Sequence, residues 1–410
     1  MANTINNISD AGKVIAKMAA GMFADELQFV KAIDSEPDDT FDQINGYNVG
    51  DTVYVSKPAR FTSSSTVDIT STIQDVKEEK VALTLDIRQV LPVALTSAEI
   101  FNSLKLKSWA KRILKPAISN VAQNVEATCL TRAKNAVANL AGTAGSTVFD
   151  TDTILSVREK LMKNLTPQDD QLQLLLDSTA MRSAVNARKG LFNSSPEIAK
   201  QYKMGYMGTA DGFNYLENNL LPTHTRGTAT GTITVTTTST EGDTTIALTG
   251  TGSQTLKKGD TFTIASVYAV HPITKVKLNY LQQFVVLADN TASGGAYTGV
   301  SVYPAIYAST TDGRTTVDSL PQSSAAVTLV GSLSTGYQQS LAFHKNAFRF
   351  VSVPLPTFQG THMCEQQTVD GMTVRVWMDS SILTDKMILR LDFLGGIAAV
   401  RPEWACRITA

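Results

Sequence analysis

The chain has 410 residues, of which 43% are hydrophobic and 18% charged, and its formal charge is −1. That length exceeds one compact core and predicts two or three substructures, while the near-neutral balance excludes both a disordered chain and a dedicated nucleic-acid coat. Three widely separated cysteines, Cys129, Cys364 and Cys406, predict buried thiols in a reducing compartment rather than a disulfide framework.

The opening stretch MANTINNISDAGKVIAKMAAGMF carries Lys13 and Lys17 inside its only apolar run. It therefore does not read as an export signal, and no apolar run of about 18 residues follows, so a protein kept in the cytosol is expected. Residues 10 to 33 place Ile15, Ala19, Met22, Phe23, Leu27 and Val30 at three- and four-residue intervals. This predicts an amphipathic helix, started by Ser9 or Asp10, whose stripe needs a partner surface. The acidic, turn-rich segment SEPDDTFDQINGYNVGD follows and predicts irregular structure.

Strand patterns occupy Thr52 to Ser56 and Lys80 to Val90, joined by the polar segment FTSSSTVDITSTIQDVKEE. They predict one long β-hairpin whose tip has too few apolar residues to fold on its own core, and which is expected to lie on a neighbour. Thr96 or Ser97 then caps a helix through Ile100, Phe101, Leu104, Trp109 and Ile113. Pro116 opens a longer helix with Ala117, Val121, Val125, Cys129, Ala133 and Val137 at four-residue spacing, running to Ala141 before Gly142. Such a helix spans about 40 Å.

Asp150 or Asp152 starts a helix bearing Ile154, Val157, Leu161 and Leu165, and QLQLLLD reads as a buried strand. Helices capped by Ser178 and opened by Ser195-Pro196 complete an α+β half. At Leu221-Pro222 the composition turns threonine-rich and weakly charged, and it turns back near Gly331 to Gly336. TGTITVT, TTIALTG, DTFTIASVYAV, NYLQQFVVLA, GVSVYPAIYA and AAVTLVG lie between these limits, separated by Gly, Asp, Ser and Asn turns. Six short strands at that spacing predict a small all-β barrel or sandwich inserted into a host domain, which the chain leaves near Pro222 and rejoins near Tyr337. Strand signals return in NAFRFVSVPLP, GMTVRVWMDSS and DKMILRLDFLGGIAAVRPEWACRIT.

Enzyme motifs are nearly absent: no phosphate-binding loop, nucleophile elbow, His-Glu-x-x-His or Cys-x-x-Cys occurs. The four histidines are scattered, and His362-Met363-Cys364 lacks a third ligand at useful spacing. Asp38-Asp39, Asp169-Asp170 and Glu78-Glu79 read as solvated loop carboxylates. Lys105, Lys107, Lys111, Arg112 and Lys115 could meet phosphates, although a solvated helix face is the plainer reading. No catalytic residue, metal or cofactor is expected.

Four stretches carry a family resemblance. Leu221-Pro222-Thr223-His224-Thr225 with Thr228-Ala229-Thr230-Gly231, then Lys258-Gly259-Asp260 with FTIASVYAVHPITK, resemble the insertion of tailed-phage major capsid proteins, in particular the coat proteins of short-tailed phages. Phe343-His344-Lys345-Asn346-Ala347-Phe348 leading to Pro354-Leu355-Pro356, and Arg401-Pro402-Glu403-Trp404, are similar to that family's exit and C-terminal strand. The resemblance implies the tailed-phage capsid fold, an α+β architecture. Residues 1–45 become an N-terminal arm, 46–95 an extended hairpin, and 96–222 the spine helix, peripheral domain and first part of the axial domain. An inserted β-barrel then takes 223–336, and 337–410 complete the axial and peripheral domains. It also implies self-assembly into hexamers and pentamers of an icosahedral head, with scaffolding and portal proteins as partners and double-stranded DNA inside, in the host bacterial cytoplasm. The turn Ser239-Thr240-Glu241-Gly242-Asp243 is short beside the long charged loop of the family's best-known members, and no self-crosslinking is expected. Met22 and Phe23 on the arm, and Arg60, Lys77, Glu78, Glu79 and Lys80 on the hairpin, are the expected subunit contacts. An encapsulin-like shell and a tail-tube or surface protein are the alternatives.

Overall fold

The computed structural model describes residues 8–35, 50–57, 61, 70, 73, 79–96, 115–146, 149–188, 208–309, 313–358, 360–361, 363–381 and 386–409. Helices α1 (Ile8–Glu26) and α2 (Phe29–Ala32) precede strands β1 (Thr52–Lys57), β2 (Glu79–Thr84) and β3 (Ile87–Thr96). Next come α3 (Lys115–Ala136), β4 (Leu140–Ala141), α4 (Thr151–Lys163), β5 (Leu172–Leu176) and α5 (Ser178–Arg188). Strands β6 (Thr209–Ala210), β7 (Phe213–Glu217) and β8 (Thr223–Thr225) lead to β9 (Ile233–Val235), β10 (Asp243–Thr249), β11 (Thr255–Leu256) and β12 (Thr261–Val270). The rest are β13 (Lys277–Val286), β14 (Asn290–Thr291), β15 (Ala296–Ile306), β16 (Ala326–Leu329), β17 (Gly336–His344), β18 (Phe348–Ser352), β19 (Met363–Val369), β20 (Met372–Ser381), β21 (Lys386–Ala399) and β22 (Ala405–Thr409).

The chain divides into two compact units, the first built from residues 1–55, 80–130 and 348–398. Its sheet runs β18-β21-β20-β19, with β3 also paired to β21 from Lys386↔Thr96 to Gly395↔Ile87. Helix α1 lies against β19 and β20. Phe23 stacks on Phe393 with ring centroids 4.9 Å apart, and Phe350 stacks on the same ring at 6.1 Å. This corrects the expectation that the arm stripe awaits a neighbour. Ala19, Phe23, Leu27 and Val30 are buried within one chain, and each large side chain contributes about 1.5–3 kcal/mol by leaving water. The helix breaks after Glu26, and α2 restarts where the buried Glu126 carboxylate of α3 accepts the backbone N–H groups of Gln28 (3.1 Å) and Phe29 (2.8 Å). A carboxylate on those first-turn N–H groups complements the positive end of the helix dipole.

Two other expectations change here. The pattern read as one strand from Lys80 to Val90 is β2 and β3, separated at Leu85-Asp86, where Leu85 donates to Asp51 O and accepts from Gly50 N. Cys364 is partly exposed, whereas Cys129 and Cys406 are buried as expected.

The second unit comprises residues 56–79, 131–347 and 399–410. A mixed sheet runs β4-β22-β17-β5-β7-β6, with β8 also on β17. Leu172, Leu174 and Leu176 of β5 share a core with Ile154, Val157 and Leu161 of α4 and with Phe213, Tyr215 and Ile408. Asp150 caps α4 by accepting from Thr153 N at 2.9 Å. Leu165, expected in that core, is 39% exposed beyond the helix end. Helix α5 is capped by Asp177, which accepts from Thr179 N at 2.5 Å, rather than by Ser178.

Helix α3 ends at Ala136, not Ala141, so its length is about 33 Å. The residues after it pair with the C-terminal strand instead: Arg407 N donates to Asn139 O at 2.8 Å, and Leu140 lies parallel to Arg407. Gly142 holds φ +86°, and a Cβ there would stand 2.2 Å from the Thr409 carbonyl oxygen, so only glycine turns the chain at that point.

All six strands expected between Pro222 and Tyr337 are present. They close as β10-β15-β13-β12-β16-β9, a barrel sealed by Phe262 and Phe284, stacked at 5.7 Å, together with Val235, Ile264, Tyr297 and Val300. A short β11-β14 pair was not anticipated. The helix from residue 97, the helix from Ser195 and the turn-rich segment before Gly50 fall outside the described residues.

Candidate functional site

The barrel is held at a narrow neck. Outgoing β8 and returning β17 pair antiparallel, with His224 opposite Tyr337, so both crossings lie side by side. Just beyond, the Arg226 guanidinium donates to the carbonyls of Ala229 (2.6 Å) and Gly331, tying the outgoing segment to the returning one. The Thr223-His224-Thr225 alternation turns His224 inward and leaves both threonines exposed.

Beneath the neck, four charged or titratable side chains meet out of water. His224 Nε2 lies 2.8 Å from Asp260 Oδ1, and Lys134 Nζ lies 3.4 Å from His224 Nδ1. An ammonium has only donors, so Nδ1 accepts and Nε2 carries the proton given to Asp260. Asp260 Oδ2 also accepts from Gly227 N (3.2 Å) and Lys257 N (2.8 Å). Arg407, fully buried on β22, donates to Gly259 O (2.8 Å), Gln339 Oε1 (3.2 Å) and Thr261 Oγ1.

The cluster thus joins the end of α3, the neck, the first residues of β12 and the last strand of the chain. Burial drives the Lys134 ammonium down to about 8, with Arg407 acting in the same direction and Asp260 against it. Burial likewise lowers Arg407 to about 10, which leaves it charged at neutral pH. Gly259, at φ +95°, is forced by the packing: a Cβ there would stand 2.6 Å from Asn135 Oδ1 and 3.1 Å from the His224 ring. The remaining cavity, between Leu140, His224, Gly259, Gln339 and Thr409, is about 10 Å³.

A second seat lies along β13. Gln283 exchanges hydrogen bonds with Leu140, giving Nε2 to its carbonyl (3.0 Å) and accepting its N–H (2.8 Å), while Lys160 donates to both partners. Lys163 sits 5.2 Å from the Tyr280 ring centroid, and Tyr303 donates to Glu403 at 2.8 Å. Cys406, inside this region, has its thiol pushed up to about 11 by burial and is inert. These contacts hold a domain in place. Tyr280, Gln283, Tyr303 and Glu403 also line an open cavity of about 760 Å³, and no group of three metal-ligand residues occurs among the described residues.

The family described as "P22 coat protein - gene protein 5" matches residues 42–407. The chain belongs to the P22 coat protein family. No curated protein matches it. Among solved structures, one described as Mycobacterium phage Che8 matches at 10% identity over 94% of this chain and 90% of that one, with a TM-score of 0.43. The capsid of cyanophage P-SCSP1u matches at 14% identity over 89% and 85%, also at 0.43. The CUS-3 coat protein I-domain matches at 29% identity over 25% of this chain and 99% of that one, at 0.20. The family match carries the identification, and the protein is a phage coat protein located in the virion capsid.

Within this coat protein the expected contact residues are placed unevenly. Phe23 is buried on its own sheet and Met22 is half-buried beside it. Arg60, Lys77 and Glu78 lie outside the described residues. Lys80 is exposed, and Glu79 stands 3.9 Å from Lys57 and 4.0 Å from Arg314 of the same chain. Asp169, read as a solvated carboxylate, is exposed as expected and also accepts from the buried His344 at 2.9 Å. The Glu241 and Asp243 carboxylates of the short turn bind backbone N–H groups of Ala308 and Thr240 in the same barrel. Lys134, His224, Asp260 and Arg407 were not expected as a group.

Proposed function

We propose that this coat protein self-assembles into the hexamers and pentamers of an icosahedral phage head. In this reading it closes around a scaffolding protein and encloses double-stranded DNA admitted through a portal, all in the host bacterial cytoplasm. The family match over residues 42–407 is the observation that supports it, and it favours a phage coat over an encapsulin-like shell or a tail-tube protein. Weak contacts repeated on every copy allow errors to be corrected before the shell closes. The hairpin of residues 46–95 supplies one such contact. Arg60, Lys77, Glu78, Glu79 and Lys80 set its register, and the exposed Tyr54, Phe61 and Ile73 supply apolar surface. The inserted barrel, spanning residues 223–336, stabilises the monomer, because its seats on α3, α4 and β22 are made within one chain. DNA contact is non-specific, given the net charge of −1.

Electron microscopy of the chain co-expressed with its scaffolding protein tests the reading. Closed shells of uniform diameter are the expected result; only discrete monomers, or tubes, across all assembly conditions would overturn it.

A further inference from the structure

We propose that the open cavity of about 760 Å³ beside β13 is a resting seat for the hairpin of the same chain, in which Lys57 and Glu79 are clasped and Phe61 stands at the wall. The seat belongs to the unassembled chain and stands whether or not shells form. Its consequence for assembly rests on the function proposed above.

A chain of alternating charge makes the clasp. Arg314 Nη1 stands 4.0 Å from Glu79 Oε1, Glu79 Oε2 stands 3.9 Å from Lys57 Nζ, and Lys57 Nζ stands 3.6 Å from Glu403 Oε1. All four residues, and Phe61, belong to the second unit. Two cations face two anions. Each leg of the hairpin, at Lys57 and at Glu79, is thereby tied to a group on or beside the cavity wall.

Those wall groups are positioned independently of the hairpin. The second oxygen of the Glu403 carboxylate accepts from the Tyr303 hydroxyl at 2.8 Å, and its backbone carbonyl accepts from Asn139 at 3.2 Å. The Arg314 guanidinium lies 4.4 Å from the Tyr307 ring centroid, and Lys275 donates to the neighbouring Gly313 carbonyl at 3.1 Å. Partners already held in place lower the ordering cost of a contact.

The lining suits an aromatic visitor. Tyr280, Tyr303, Pro402 and Trp404 line the cavity together with Phe61, which is still 63% exposed and so keeps apolar surface to bury. Lys57 and Glu79 reach the wall from the same chain, which makes the occupant intramolecular. The clasp is also weak enough to release. Glu79 is 47% exposed at its side chain, and pairs this open shift an equilibrium by about fivefold or less. Glu79 is an expected neighbour contact, so a seated hairpin withholds it until a second copy takes it in exchange.

Trypsin cleavage of the purified full-length chain under native conditions tests the seat, because the Arg60–Phe61 bond lies in the hairpin. Glu403→Gln keeps an acceptor for Tyr303 and removes the charge; Arg314→Gln removes the other anchor. Each is expected to be cut after Arg60 about fivefold faster than the wild type, whose own rate is the same at low and high chain concentration. Lys57→Met combined with Glu403→Gln is expected to be cut no faster than Lys57→Met alone, since both act on one contact. Rates within about twofold of wild type in both single variants overturn the seat, as does an additive double variant. Protection that grows with chain concentration also overturns it, because a second copy is then the occupant. If Glu403→Gln loses its fold, shown by cuts throughout the chain, Arg314→Gln decides alone. In assembly with the scaffolding protein, Arg314→Gln is expected to shorten the delay before shells appear. An unchanged delay overturns the exchange step, whereas a wild type that never forms shells overturns the function proposed above and not the seat.

Discussion

Two histidine–aspartate pairs sit in the second unit with almost the same bond length, and the far side of each ring distinguishes them. His224 reaches Asp260 at 2.8 Å and His344 reaches Asp169 at 2.9 Å. The second nitrogen of His344 accepts from the backbone N–H of Asn346 at 3.2 Å, and its edge meets Trp404 at 5.5 Å. That of His224 accepts from a buried ammonium. Asp169 is 43% exposed at its side chain, whereas Asp260 is 1% exposed. The same two side chains therefore make a rim contact in one place and the centre of a charge cluster in the other. What surrounds the pair sets its energetic weight, not the bond between its members.

The largest expected effect isolates that difference. Asp260→Ala leaves Lys134 and Arg407 buried with no carboxylate, a defect of the kind that costs about 3–5 kcal/mol. Asp169→Ala exposes His344 Nε2 to water and costs about 1 kcal/mol. Urea unfolding of both variants checks the ranking, and equal losses would show that the surroundings do not matter.

The pairs also differ in which end of the pH scale they answer to. Lys134 titrates at about 8 in the fold and near its ordinary 10.5 when unfolded, so between these values the unfolded chain binds more protons. Stability then rises with pH through that window, by up to about 3 kcal/mol, and the cost of the buried charge is fully felt below pH 8. Lys134→Met should flatten this limb, as read from unfolding midpoints at pH 7.5 and 9.5. Asp169 behaves oppositely. Burial raises its carboxyl, but the hydrogen bond donated by His344, with the Gln171 N–H, outweighs that and holds it below the ordinary value. Its contribution is present at neutral pH and is lost only as pH falls through the acid range, and solvent screening at a half-exposed group keeps it small.

A backbone change sharpens the contrast without touching charge. Gly259→Ala places a methyl 2.6 Å from Asn135 Oδ1 at a φ of +95°, so both strain and overlap act, at a cost of about 2 kcal/mol. The expected sign is a lower unfolding midpoint with an unchanged denaturant slope. Among the described residues no glycine seat of this kind adjoins His344, where the chain turns through Lys345–Ala347.

Which parts of this were legible follows from the range of the interactions. The six barrel strands show in the sequence because alternation and Gly, Asp and Asn turns are local, and each strand closes with a neighbour inside the same hundred residues. The end of α3 does not show. Ala133 and Val137 continue the helical spacing, and only pairing with a strand more than 260 residues later draws Leu140 into the sheet. The arm stripe was read correctly as a buried face, but its cover is Phe393 and Phe350, which no local pattern names. The junction is the extreme case, since Lys134, His224, Asp260 and Arg407 come from four separate segments. Lys-Gly-Asp and Thr-His-Thr stood out by family resemblance, yet nothing in either string says that one touches the other.

The smallest expected effect isolates hydrogen bonding from charge. Asp169→Asn keeps a carbonyl oxygen for His344 Nε2 and removes only a charge that water already screens, so it should shift stability by less than about 1 kcal/mol. Asp260→Asn keeps the same acceptor for His224 but strips the cluster of its negative charge, and it should behave nearly as badly as Asp260→Ala. If the two Asn variants match, hydrogen-bond geometry alone accounts for both pairs. If only the junction fails, charge compensation is what holds the barrel to its host.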